Sequence, residues 1–340
     1  MMNTAHPLVS VVITTKNESR NIRNCLDSIR AQTYSPIEII VVDNQSTDDT
    51  KSIAREYTDK VYDKGPERSA QRNYGLLEKS SGDWVMYLDA DMICAPELIA
   101  ECVRAIQPPI IALHIPEIIL GSRFLSKARR FERTFYDGTS IDGARFFSKK
   151  ALQTIGGFDG TLCGPEDWDL DKRLKQLGSI GCLPRTERMA MPLAPAAKDS
   201  AQEGRWNSRL AKLIEASSIT PQNWATVLFH NESEIEISSY LAKKSYYIQT
   251  FDAYIQKWGA NDPDIKRQFG LVYRFFTVFL EKGKWRQLFS HPILAGGMYF
   301  MRFMVGVQLL RSRHATQAAN RQANDSVYRP AKKTEGQDQT

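Results

Sequence analysis

The sequence predicts an α/β protein, a mainly parallel sheet flanked by helices, followed by a helical, amphipathic carboxyl-terminal extension. Three observations predict it. β-Branched runs alternate with amphipathic stretches through the first hundred residues, the pattern of βαβ units. The three strongest runs each end in a polar cluster. After about residue 235 the alternation gives way to aromatic, basic stretches at helical spacing.

In order, Leu8–Thr14 reads as a strand and Asn21–Gln32 as a helix with Ile22, Leu26 and Ile29 on one face. Ile37–Val42 is a second buried strand, broken by Asp43–Ser46. Thr47-Asp48-Asp49 opens a helix, with carboxylates at its amino end. Lys60–Tyr62 is a short strand, Glu67–Lys79 a helix and Trp84–Leu88 a strand that runs straight into Asp89-Ala90-Asp91. Pro108–Gly121 suggests one strand between loops, and Arg123–Tyr136 a basic, aromatic helix or loop. Ala144–Ser148 reads as a strand, Lys149–Ile155 as a short helix with a Gly stop, and Asp167–Gln176 as a helix. Ile219–Phe229 leads to His230, and helical patterns follow over Tyr240–Trp258, Ile265–Glu281 and Pro292–Leu310. Ligands of parallel sheets bind beyond the carboxyl ends of the strands, so the polar ends at Thr14–Glu18, Asp43–Ser46 and Asp89–Asp91 predict one shared site.

The 340 residues allow a body over 1–235, an extension over 236–314 and a polar tail over 315–340, read as disordered. Hydrophobic residues at 42% and charged residues at 25% exclude wholesale disorder. The five cysteines form no CxxC pair, which disfavours a disulfide framework or zinc ribbon and fits a reducing cytoplasm. Met1–His6 is too short and polar for a signal peptide, and no run of 18 residues reads as a membrane span. The net charge of +6 is uneven: −2 over 1–235, +7 over 236–314 and +1 over the tail. The extension therefore reads either as a surface for an anionic membrane or as a solvated, packed subdomain. Its apolar run carries Arg302 at the centre. A spanning helix would bury that charge at about 2.5–3.5 kcal/mol, so an interfacial helix with a snorkelling Arg302 is expected. The positive charge sits among aliphatic runs, which argues against nucleic acid as a partner.

Asp89-Ala90-Asp91 places two carboxylates one residue apart on a turn, suited to Mg²⁺ or Mn²⁺ shared with substrate phosphates; helix capping is the simpler alternative. Gly164-Pro165-Glu166-Asp167 opens a helix with two carboxylates after a bend. One of them could serve as general base for a sugar hydroxyl, and dipole stabilisation is the alternative. Neither GxGxxG nor GxxxxGK[ST] occurs. A nucleotidyltransferase of similar fold and a non-catalytic membrane-associated scaffold are the competing classes.

Taken together, Val9–Ser19 (VSVVITTKNES), Ile37–Thr50 (IEIIVVDNQSTDDT), Arg72–Leu76 (RNYGL), Gly82–Asp91 (GDWVMYLDAD) and Gly156–Leu170 (GGFDGTLCGPEDWDL) resemble the family 2 glycosyltransferases. These are inverting enzymes of the GT-A fold. The resemblance covers roughly residues 8–235 and implies a hexosyltransferase-like enzyme of polysaccharide biosynthesis with a DXD motif. It implies that Thr14, Lys16, Asn17 and Glu18 meet the nucleotide, and that Asp43 and Asn44 contact the base. Asn44 stands where many members carry a second Asp. Arg68 and Arg72 would face the nucleotide-sugar, Asp89 would hold ribose or metal, and Asp91 would bind a divalent cation, Mn²⁺ or Mg²⁺, at the diphosphate. Asp167 matches the catalytic base, with Glu166, Asp142 and Arg145 bordering the acceptor, and His230 matches a late metal ligand of related folds. The implied donor is a UDP- or GDP-sugar, and the acceptor a glycan or lipid-linked precursor. The expected location is the cytoplasm, peripheral on the cytoplasmic face of a membrane.

Overall fold

The computed structural model describes residues 6–185, 209–219 and 224–327. A seven-stranded sheet has the order β3-β2-β1-β4-β8-β6-β9. Its strands are β1 (Val9–Thr15), β2 (Ile37–Asp43), β3 (Val61–Asp63), β4 (Trp84–Asp89), β6 (Ile110–His114), β8 (Ala144–Ser148) and β9 (Ser179–Cys182). The small sheet β5-β10-β7 is built from β5 (Met92–Cys94), β7 (Glu117–Leu120) and β10 (Leu228–Asn231). β1 lies in the interior of the sheet and every residue of it is buried, which explains its β-branched, largely apolar sequence.

Register sets the site. β1 pairs in parallel with β2 and β4, placing Thr15 opposite Asp43 and Thr14 opposite Asp89. One sheet edge thus collects all three polar strand ends. β8 runs antiparallel to β4, with Phe146 opposite Met86, so Arg145 approaches the same edge from the far side. In the small sheet β10 is antiparallel to β5 and pairs His230 with Met92, one residue after Asp91. β7 pairs in parallel with β10 and brings Glu117 beside it.

Two apolar layers sandwich the main sheet. One includes helices α1 (Ile22–Arg30) and α4 (Leu98–Ala105), with Ile22, Leu26, Leu98 and Cys102 fully buried. The other includes Leu76, Phe147, Leu152 and Leu170. All five cysteines are free.

Several expectations are corrected. Pro108–Gly121 holds two strands in different sheets, because the chain turns at Ile115-Pro116. The stretch 240–258 is two helices, Ile237–Ile248 and Phe251–Trp258. The last helix, Pro292–Val327, runs well past the boundary expected for a disordered tail. Its Ala, Gln and Arg content favours helix even without an apolar face; residues 328–340 lie outside the described residues. Arg302 does not snorkel. It is 7% exposed and pairs with Glu132 on α5 (Phe124–Arg133). Around it, Phe131, Phe135, Val278, Phe279 and Met298 form a separate core. A buried carboxylate on α5 supplied the partner that the sequence pattern did not reveal. Among the described residues no helix is long and apolar enough to cross a membrane.

Candidate active site

Beyond the carboxyl ends of β1, β2 and β4 lies a cleft of about 380 Å³. Thr14, Lys16, Glu18, Asn44, Arg68, Asp89, Asp91 and His230 line it, eight of the residues the sequence singles out. Helix α3 (Arg68–Asn73) supplies one wall. Arg68 and Arg72 are one turn apart and share a face. Gln71 donates from Nε2 to the carbonyls of Thr15 and Val42 at 3.1 and 2.8 Å, fixing α3 against the strand ends.

Arg72 is the hub. Its side chain is 2% exposed, and its guanidinium carbon lies 4.2 Å from the Tyr87 ring centroid. Nη2 donates to Asp89 Oδ1 at 3.3 Å and Nη1 to Asp167 Oδ1 at 3.1 Å. Tyr87 also donates to Asp167 Oδ1, at 2.9 Å. Burial alone would raise the Asp89 pKa, but Arg72, Arg145 and Arg68 outweigh it and hold the carboxyl well below its usual range. α7 (Glu166–Leu174) begins with the acidic pair, as the helix dipole favours. Gly143 abuts Asp167, and a Cβ there would lie 2.9 Å from Asp167 Cβ. Only glycine lets β8 enter so close to the pair.

The two carboxylates differ. Glu166 is 3% exposed at its side chain; Oε1 accepts from Arg68 at 2.9 Å and Oε2 from the Gly164 amide. Burial, and then the Asp167 charge, raise its pKa. Asp167 is 29% exposed, and its Oδ2 accepts no hydrogen bond among the described residues.

His230 Nε2 sits 3.1 Å from Asp91 Oδ2, and Nδ1 sits 3.6 Å from Glu117 Oε2. Burial opposes its charged form, but Asp91, Glu117 and Glu232 hold the imidazole well above its ordinary pKa. Asp91 Oδ1 is buried with no partner among the described residues. A divalent cation fits here. It would compete for a nitrogen now favouring a proton, and it would satisfy the orphaned oxygen. Among the described residues no three His, Cys, Asp or Glu side chains form a ready cage. The chain would therefore supply few donors and leave the rest to phosphate oxygens and water, the usual arrangement for Mg²⁺.

Other expected residues stand aside from the cleft. Asp43 is fully buried, and both its oxygens accept from Ser46, at 2.6 and 2.5 Å. Asn17, at φ +53°, accepts from the Thr47 amide at 2.8 Å and braces the loop. Asp142 is not among the residues that line the cleft. It is buried, accepts from the Gly138 amide at 2.8 Å and lies 3.7 Å from His114. Arg145 does reach the site, 3.8 Å from Asp89, while its other contacts hold Glu117 at 2.9 Å. Sequence reasoning missed Glu117, which is hidden in the apolar stretch Glu117–Leu120, and the cleft residues Lys243, Tyr246 and Tyr247.

A mainly parallel α/β sheet with a polar cleft beyond the carboxyl ends of its strands is the GT-A architecture. Residues 10–162 match the sequence model of Glycosyl transferase family 2. It is 40% identical over 104 residues to Glycosyltransferase AglE of Haloferax volcanii, covering 28% of this chain and 33% of that protein. It is 25% identical over 186 residues to the PGL/p-HBAD biosynthesis glycosyltransferase of Mycobacterium bovis, covering 50% of this chain and 70% of that one. The chain thus spans about a third of the length of the first of these relatives. The mannosyltransferase PcManGT of Pyrobaculum calidifontis, solved with GDP-Man and Mn²⁺, shares the fold. It is 19% identical, with TM-score 0.51, and the match covers 91% of this chain and 87% of that one.

Proposed function

We propose that the chain is a metal-dependent, inverting glycosyltransferase. It moves a sugar from a UDP- or GDP-linked donor to a hydroxyl of a glycan or lipid-linked acceptor. The observation that carries this reading is the Arg72 bridge between Asp89 Oδ1 and Asp167 Oδ1. One buried guanidinium stands between the end of the cleft suited to a diphosphate and a carboxylate with a free oxygen. Asp167 is the general base, taking the acceptor proton at Oδ2 while Arg72 and Tyr87 fix Oδ1. Glu166 has both oxygens engaged and orients Arg68 instead. Asp91 and His230 would hold the divalent cation, which supplies charge compensation for the departing diphosphate.

Membrane docking is the second part of the proposal. Val272, Phe276, Phe289, Ile293 and Phe303 are all at least 61% exposed, side chains that a membrane interface would take up. It lies within the segment of net charge +7. Both features suit the anionic cytoplasmic face of a membrane carrying the acceptor.

The test is turnover with UDP- and GDP-sugars, the latter because the Pyrobaculum mannosyltransferase binds GDP-Man. Asp167→Asn is expected to lower turnover by about 10²-fold or more while leaving donor affinity intact. Normal turnover in Asp167→Asn beside a dead Glu166→Gln reverses the assignment. An absence of transfer or donor hydrolysis in the wild type with every donor overturns the reading.

A further inference from the structure

The cleft has a wall outside the family-matched segment. Lys243, Tyr246 and Tyr247 line it from the helix Ile237–Ile248, at the spacing that puts them on one helical face. Three contacts fix that face. The Tyr246 hydroxyl donates to Glu67 at 3.1 Å. The Arg68 guanidinium carbon lies 4.8 Å from the Tyr247 ring centroid. Gly164, at φ +105°, has no room for a side chain, since a Cβ would lie 2.7 Å from Tyr247 Cβ. The helix is therefore seated both on the start of α3 and on the bend before the Glu166–Asp167 pair.

We infer that Lys243 is a positioning residue for the donor diphosphate, its ammonium closing the cleft opposite Asp89 and Asp91. This rests on the donor-site reading above. The charge arrangement supports it. Arg68, Arg72 and Arg145 are already engaged by Glu166, by Asp89 and Asp167, and by Glu117. Lys243 makes no hydrogen bond or ion pair among the described residues, yet it lines the same cleft. Local desolvation at the cleft wall opposes its charged form, but Tyr247, Asp89 and Asp91 outweigh that and raise its pKa, so it enters the site as a cation. A diphosphate placed near two carboxylates needs a positive charge not already spent on the protein. A lysine ammonium, a compact charge with rotatable donors, serves as a phosphate ligand. The three anchors restrict the helix, so less order has to be created on binding.

The experiment compares wild type, Lys243→Gln and Lys243→Arg in the full chain with Mn²⁺. Binding of UDP and GDP is measured by calorimetry, and uridine and guanosine serve as competitors without phosphates. Lys243 is exposed, so matching thermal midpoints are expected. Lys243→Gln should weaken whichever diphosphate the wild type binds by about tenfold or more, the scale of a lost charged hydrogen bond. Nucleoside affinity should stay unchanged, and Lys243→Arg should recover most of the loss. A merely structural role would weaken nucleoside and diphosphate alike, and that result overturns the inference. Equal diphosphate binding by wild type and Lys243→Gln also overturns it while leaving the donor site standing. If the wild type binds neither UDP nor GDP, the donor-site reading fails and the inference falls with it.

Discussion

Replacing Arg302 with Met tests how the carboxyl-terminal helices are held. Arg302 Nε contacts Glu132 Oε1 at 2.9 Å, and Nη2 donates to the Tyr136 hydroxyl at 2.6 Å. Its guanidinium carbon lies 4.6 Å from the Phe279 ring centroid. Met keeps the stem packing and removes the charge. Burial alone would raise the Glu132 pKa, yet Arg302 and Arg129 bring it down to about 2 from 4.5. At about 1.4 kcal/mol per tenfold, that difference corresponds to roughly 3 kcal/mol. Breaking a buried pair costs about 3–5 kcal/mol when the partner is left alone. Here Glu132 keeps Arg129 at 2.5 Å, and Arg302 Nη1 is itself buried without a partner. Both facts lower the figure, so a loss of about 2 kcal/mol is expected. Equilibrium urea unfolding at neutral pH measures it, with Glu132→Gln and the double variant completing a cycle. The sign of the pH effect follows from the depressed folded-state pKa. The Glu132 contribution is full above about 4.5 and is lost as pH falls through about 2. Wild type should therefore lose more stability than Arg302→Met across that window. A loss below about 0.5 kcal/mol for Arg302→Met at neutral pH would refute the reasoning, because Arg302 would then behave as a solvated side chain.

Two further predictions concern the cation and the membrane. Asp91→Asn should abolish Mn²⁺ binding measured by electron paramagnetic resonance in the presence of UDP or GDP, and excess chelator should stop wild-type turnover; full turnover in chelator removes the metal from the mechanism. The triple variant Phe289→Ser, Ile293→Ser and Phe303→Ser should keep the wild-type thermal midpoint, since these side chains are 76%, 76% and 61% exposed. It should lose sedimentation with anionic vesicles, by about tenfold or more for each apolar group that no longer enters the interface; undiminished sedimentation rules out this face.

The part of the fold read most directly from sequence is the part held by local pattern. β1, β2 and β4 are apolar runs long enough to declare themselves, and each ends in the polar residues that its parallel register brings to the edge. β5 and β9 span only three and four residues, too few to establish a period. The acidic motifs were legible because Asp89, Asp91, Glu166 and Asp167 lie in short contiguous stretches. The direction of a side chain was not. Asp43 occupies the expected strand end, yet its oxygens accept from Ser46 three residues on, a local turn that competes with any ligand. Glu117 was hidden because its partners, Arg133, Arg145 and His230, come from three separate elements. Lys243 was hidden for the same reason, since only packing reveals which face of its helix meets the cleft.

The inward position of Arg302 changes the case for an interfacial extension. A snorkelling arginine would have to bring its charge to the headgroups from within an apolar helix. With Arg302 turned to Glu132 instead, Ile293, Phe300 and Phe303 are left on the outside of the same helix. Met298 and Met301 face inward with the arginine. Charge and apolar surface are thus separated by face rather than by depth. That arrangement removes the desolvation cost that counted against inserting this helix. It leaves a surface whose apolar burial salt does not screen, while the attraction of the surrounding cations is screened. Vesicle binding that weakens with salt but persists is the outcome expected of the proposed docking face.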